Sequence, residues 1–467
     1  MRYIDPGKLK KTYWIIRTQI AFVSICLLFI PKLVTGQTVQ DTLPSQVTLS
    51  QCIAYALANH ELVKQAQIDE DITRRDIRIA LSGWYPQLEV DANVQHFLQI
   101  PVGQYPNLAN PPSYLPYVKF PTSTNYTSSG LFSVNQTLYS STLFFAGRTA
   151  RDLKNQASES TVFIKINVYA NVTTAFFDVL LTQQQLNVLN EDILRLQRQY
   201  KDAYALYQDG ITDNIDYQRA QIALSNSEAQ KKAAEEAVKW KYSVLKQMVG
   251  VVPEKKLTLL YDTTKFESDI LMDTTRHLDY NNRIEYQLMQ TSLKLQNIQS
   301  SYYKWSFLPT VSAFYNNTPS FISEQFSGLY NTTYPSSFIG LKLTLPIFQG
   351  MNRLENLSKS RLQYNRLQLG MDYLKSSMSS EYSVTLATYV SNLNDLNVAK
   401  KNTILAKNIY NTVKFQYDKG TKAYLEVITS ENDLKAAELT YLSSLFQVLT
   451  SKMSLEKALG VIQINGK

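Results

Sequence analysis

Hydrophobic and polar positions change their period along this chain, and the changes mark its elements. Residues 148–209, 211–249 and 421–459 contain neither Gly nor Pro, and 351–419 contain only Gly370. Such uninterrupted stretches predict helix. Within the first, Leu186, Leu189, Ile193, Leu196, Tyr200, Ala203 and Tyr207 follow alternating steps of three and four. That is a heptad seam, and its aromatic and Leu side chains are expected to be helix-packing core. A helix of about 60 residues would run about 90 Å at 1.5 Å per residue. Gly210 and Gly420 interrupt the long segments near their far ends, so each pair of helices is expected to turn back there as a hairpin. Shorter helical segments are expected over 48–85 and 276–308, with Thr48 or Ser50 as the first cap.

Elsewhere the period is two. After Pro86, Gln87-Leu88-Glu89-Val90-Asp91-Ala92-Asn93-Val94-Gln95 alternates without a miss. Strands are expected at 86–97, 130–140, 309–316 and 338–348. Each approaches the length that a tilted strand needs to cross a bilayer, one face toward lipid and one toward a polar lumen. Glu89, Asp91 and Lys342 fall on the polar side. An ordinary sheet on an apolar core fits any one strand equally well, but those charges favour a wet lumen. The intervening segments 97–129 and 316–337 are expected as open loops, the first holding six Pro and one charge, Lys119.

The chain also repeats itself. At an offset of 210, Leu245–Gly250 resembles Leu455–Gly460, and Tyr207, Gly210 and Leu224 pair with Tyr417, Gly420 and Leu434. Upstream, Asn59 and Pro86 pair with Asn282 and Pro309 at an offset of 223, and Gly147 pairs with Gly350 at 203. From the first Gly to the second the halves measure 63 and 70 residues, a difference of one heptad that keeps a coiled-coil face in register. The expected organisation is a signal segment over 1–36, a first repeat over 37–250, a connector over 251–275 and a second repeat over 276–467.

Composition then narrows the function classes. Residues 1–36 carry a basic start, an 11-residue apolar run from Ile20 to Ile30 and a small-residue cleavage site at Val34-Thr35-Gly36. Cys26 follows Ile25, which argues against a lipid attachment site. This segment holds +5 of the +8 formal charge, leaving +3 on the remainder. No basic stripe is left to suggest nucleic acid. Cys52 is then alone, which excludes an internal disulfide and suggests a buried small residue. His60, His96 and His277 are scattered without metal-ligand spacing, and no nucleophile or phosphate-loop motif appears. No catalytic residue, metal or cofactor is expected. Four strands cannot close a barrel, and lipid does not tolerate an open sheet edge, so spanning strands would require the chain to oligomerise.

The duplicated order of helix, strand, loop, strand and helix hairpin resembles the TolC-type outer-membrane efflux proteins over roughly 47–460. The "TLSQCIAYALANH" start, both Pro-initiated strands, and "FFAG" and "PIFQG" as strand ends carry the likeness. The resemblance implies an α+β membrane protein in the cell outer membrane, extending into the periplasm. Duplicated coiled-coil hairpins would form a periplasmic α-barrel, and three protomers would pool four strands each into one 12-stranded β-barrel. The implied function is the exit duct of a tripartite efflux or type I secretion system. Its implied partners are outer-membrane lipid, a periplasmic adaptor and an inner-membrane pump docked at the lower end.

The resemblance also implies a gate at the hairpin tips. Tyr417 and Lys422 match a tyrosine and a basic residue that tie neighbouring hairpins, Asp216 matches the acid that meets the basic residue, and Glu426 matches an acid ringing the closed pore. A second acid ring would fall at Thr429, which carries no charge. Gly210, Ile211, Gly420 and Thr421 stand where the adaptor would touch. The competing class is an exported coiled-coil adhesin or periplasmic scaffold without a pore. It accounts for the helices but not for four alternating strands at matching points of both halves.

Overall fold

The computed structural model describes residues 43–106, 117–261, 270–462 and 464. The expected signal segment 1–36 lies outside them, as do parts of the 97–129 loop and of the 251–275 connector. Ser45–Lys467 form one body.

Each half begins with short helices. Thr48 caps α1, Leu49–Asn59, through a capping box in which Gln51 Oε1 accepts from the Thr48 N–H at 2.9 Å. The α2 helix, Glu61–Leu81, starts at His60, whose Nδ1 accepts from the Leu62 N–H at 3.1 Å. Cys52 is fully buried in α1. Just before α1, a two-residue strand β1, Gln46–Val47, pairs in parallel with a second in the connector, Thr258–Leu259.

Four strands form one antiparallel sheet. In chain order they are β2, Gln87–His96; β5, Tyr126–Tyr139; β7, Thr310–Ser323; and β8, Tyr334–Thr344. They lie side by side in that order, so β2 and β8 are both open edges. The register aligns the period-two pattern across all four. Leu88, Val134, Tyr315 and Ile339 share one row and face, while Glu89, Ser133, Asn316 and Phe338 share the next row on the other face.

Three sequence expectations are corrected. The 97–129 segment is not all loop: Val102–Pro106 (β3) and Tyr117–Pro121 (β4) pair antiparallel, and their bases close through Phe97 N–H to Asn125 O and Thr122 N–H to Pro101 O. The third strand runs past Pro319 to Ser323, because neighbours on both sides hold it although Pro319 donates no bond. Finally, neither "FFAG" nor "PIFQG" lies in a strand. Phe144 and Phe145 belong to the first turns of α3, Ser141–Gln208, capped by Ser140, and β8 stops at Thr344 before Pro346. Gly147 is therefore a helix-interior residue, whereas Gly350 has φ +56° and sits ahead of the helix Asn352–Asp418.

The long helices are α3, of 68 residues, with its return α4, Asn214–Val249, and α6, Asn352–Asp418, of 67 residues, with its return α7, Tyr424–Leu459. At 1.5 Å per residue α3 and α6 each run about 100 Å. The second half opens on α5, Ile284–Trp305, which leads into β7. The seam expected from the heptads is buried at Leu189, Ile193, Leu196 and Ala203 of α3 and at Leu396, Ala399 and Tyr410 of α6. Among the described residues no helix is long and apolar enough to cross a membrane.

Candidate gate at the helix-hairpin tips

Both hairpins turn by the same device. Gly210 has φ +70° and Gly420 φ +74°, the left-handed conformation that L residues resist. Each glycine N–H returns to a carbonyl three residues back, Tyr207 O at 3.0 Å and Tyr417 O at 2.8 Å. The next N–H, of Ile211 or Thr421, reaches five back to Leu206 O or Gln416 O, both at 2.9 Å. These paired bonds are the Schellman closure, and they satisfy the last carbonyls of each long helix. The return helices start differently. Asp213 caps α4 by accepting from the Ile215 N–H at 2.9 Å, while Ala423 offers α7 no side-chain cap.

The expected gate residues fall on both tips. Lys422 Nζ, in the turn ahead of α7, lies 2.7 Å from Glu426 Oε2 in the first turn of that helix, both side chains exposed. Within the protomer Lys422 thus pairs with Glu426 and not with Asp216. A solvated pair of this spacing contributes about 0.3–0.5 kcal/mol. Asp216, in the first turn of α4, has its carboxyl raised above the ordinary value by burial first and by Asp213 next, against the pull of Arg219. The Tyr417 ring lies 5.6 Å from that of Tyr424 at a tilted angle and packs against a cluster formed by Ala203 of α3, Ala220 of α4 and Tyr424 of α7. Burial raises its hydroxyl pKa, and the charge of Asp216 adds to the shift, so these two are electrostatic neighbours. Thr429 donates to the Leu425 carbonyl at 2.9 Å, a bond within its own helix.

Other tip residues escaped the sequence argument. Tyr200, Tyr204, Tyr207 and Tyr217 form a ladder with ring separations of 4.9–6.1 Å, joining α3 to α4 above the turn. The heptad seam takes in Tyr200 and Tyr207 of this ladder but not Tyr204 or Tyr217. Ile211 and Phe415 are 68% and 62% exposed, which leaves apolar surface at the ends of both hairpins. Among the described residues no group of three His, Cys, Asp or Glu is placed to hold a metal.

The structure thus combines a sheet with one apolar face and two open edges with paired helices of 67 and 68 residues and their returns. The combination recurs in known proteins. Residues 52–251 match the outer membrane efflux protein family, a span that takes in almost all of the first repeat. The chain is similar to the TolC-like outer-membrane efflux proteins. The outer membrane protein TolC of Vibrio cholerae serotype O1 is 19% identical over 349 residues, 73% of this chain and 78% of that one. Among solved structures, CusC superposes with a TM-score of 0.72 at 15% identity, covering 91% of this chain and 95% of that chain. The open state of the MtrE outer membrane channel of Neisseria gonorrhoeae superposes with 0.67 at 16%, covering 92% and 96%. TolC and MtrE are, by their names, outer membrane proteins.

Proposed function

We propose that this TolC-like protein is the passive exit duct of a tripartite efflux or type I secretion system, built from three copies and gated at its periplasmic tips. The observation that carries the proposal is the pair of open sheet edges. Four strands leave β2 and β8 unpaired, while Leu88, Val90, Leu341 and Leu343 expose apolar side chains on one face. In lipid, unsatisfied edge groups cost several kcal/mol each, so β8 of one protomer must meet β2 of the next. Three protomers would close a 12-stranded barrel, and two hairpins each would give the α-barrel beneath it.

The gate would be formed by Asp216, Tyr417, Lys422 and Glu426. Around a three-fold axis the Glu426 carboxylates repel one another and attract cations. Lys422 is close enough to its own Glu426 to exchange that exposed partner for an Asp216 of a neighbouring hairpin, at little net free energy. A gate of such weak ties yields to a docking partner. Gly210, Ile211, Gly420 and Thr421 would meet the periplasmic adaptor, with the exposed Ile211 and Phe415 supplying apolar area. The inner-membrane pump would supply the energy. An adhesin or scaffold without a pore leaves the apolar sheet face and its open edges without a use.

The test is a disulfide between protomers. Cysteines at Val90 of β2 and Leu341 of β8, each three or more residues inside its strand and near the sheet edge, should give covalent trimers in oxidised outer membranes. Monomers under every oxidising condition, with the protein present in the membrane fraction, would exclude the shared barrel.

A further inference from the structure

Between 11 and 18 residues from the tip glycines, about 16–27 Å along the helices, the interface between the two hairpins becomes charged. Glu431 of α7 is 1% exposed and Asp192 of α3 is fully buried. Glu431 accepts from Arg195 Nε at 3.0 Å and from Gln199 Nε2, both on α3. Asp192 Oδ2 accepts from Ser227 Oγ of α4 at 2.6 Å and faces Lys435 Nζ of α7 at 3.4 Å, while Lys435 also donates to Ser227 at 3.0 Å. Arg195 joins the two carboxylates: its Nη2 lies 3.5 Å from Asp192 Oδ1, and its guanidinium lies 6.0 Å from the Tyr410 ring of α6. All four long helices therefore meet in one buried network.

Stability alone does not call for it. Well-packed apolar side chains in place of a buried ion cluster are commonly neutral or stabilising, because desolvation offsets the Coulomb attraction. What such a cluster supplies is direction. The seam around it includes small side chains, Ser430 and Ala437 on α7 and Ala399, Thr403 and Ala406 on α6, with Thr403 Oγ1 donating to the Ala437 carbonyl at 3.1 Å. Small residues on a heptad repeat would tolerate sliding by one repeat. The charges would not: a slip one way carries Glu431 to the site of Tyr424 in its apolar cluster, and a slip the other way carries Lys435 to the buried site of Leu442. A single buried polar position fixing register is the best-attested use of such groups.

We propose that Asp192, Arg195, Glu431 and Lys435 are positioning residues for the tip gate, a key that holds α7 against α3 in one axial register. Motion of the tips is then a pivoting of the short segments below the key, and whole hairpins do not slide. The inference rests on the gated-duct reading, because a gate is what the key would position.

The experiment compares two variants of the full-length protein in planar bilayers. Arg195→Met with Glu431→Leu removes the Arg195–Glu431 pair of the key and keeps comparable volume, leaving Asp192 with Lys435. Asp216→Ala with Lys422→Ala removes the proposed tip ties. The key predicts that the apolar pair leaves oligomer melting near the wild-type temperature yet raises passive conductance several-fold. Glu431→Gln, which keeps its shape, should give a smaller rise, and it decides the matter alone if the apolar pair does not assemble. Wild-type conductance in the assembled key variants, with increased conductance in the tip variant, would overturn the key and leave the gate standing. Wild-type conductance in both would remove the gate reading, and the key with it.

Discussion

Replacing Gly420 by Ala perturbs the second tip through the backbone alone. Its φ is +74°, and a Cβ built there meets no atom within 4 Å. The added methyl therefore causes no clash, and the penalty is that of an L residue held left-handed, about 1–2 kcal/mol per protomer. Two hydrogen bonds depend on the conformation, Gly420 N–H to Tyr417 O and Thr421 N–H to Gln416 O. Weakening them by that amount raises local opening about 5- to 30-fold. Hydrogen exchange of peptides covering 412–430 should show faster exchange at these amides, while the middle of α6 is unchanged. Gly147 is the control. It also has open space around its Cβ, but it lies inside α3 with an ordinary φ, so Gly147→Ala should stabilise by about 0.5–1 kcal/mol. Unchanged exchange at the tip in Gly420→Ala, or a lower melting temperature in Gly147→Ala, would refute the assignment of these two glycines to a turn and a helix interior.

Three further outcomes follow from the same geometry. Asp216→Ala with Lys422→Ala should raise passive conductance while moving the melting temperature little, since Lys422 has only an exposed partner in the protomer; a large loss of stability without added conductance would contradict it. Burial raises the Asp216 carboxyl above 3.8, so its ionisation opposes the folded tip, and falling pH through the window above that value relieves the strain while removing a charge that could hold a cation. Conductance should rise in that window without a loss of stability from this residue, and Asp216→Asn should flatten the response. Glu431→Ala alone strands Arg195 and Gln199 and should destabilise by about 3 kcal/mol, measured by thermal melting, whereas Arg195→Met with Glu431→Leu should recover most of it.

The strands and helices that carry the fold were legible where one period dominates. Gln87–Gln95 alternates cleanly and became β2, and the Gly-free and Pro-free segments became α3, α4, α6 and α7. What was misplaced depended on neighbours. Asn316, Asn317 and Pro319 fall in the segment expected as the 316–337 loop, but β5 and β8 hold them as strand. Val102–Pro106 and Tyr117–Pro121 are short and Pro-flanked, and only their mutual pairing makes them a hairpin. Gly147 and Gly350 match in an alignment of halves, yet Ser140 starts one helix early while Pro346 and Gly350 delay the other. At the tips, Gly210 and Gly420 were visible as breaks, whereas the Lys422 partner depends on side-chain placement within one turn. The Asp192–Glu431 network was invisible in sequence, because charged residues on a long helix ordinarily face water and only the crossing of α3 and α7 buries them.

The central claim is that copies of this chain form one gated pore. The most direct measurement is single-channel recording of the full-length protein, extracted in detergent as its native oligomer and inserted into planar bilayers. The account predicts one discrete conductance per trimer, low at rest and several-fold higher in Asp216→Ala with Lys422→Ala. Trimers that insert without any unitary conductance, or a protein that leaves the membrane without detergent as a monomer, would contradict it.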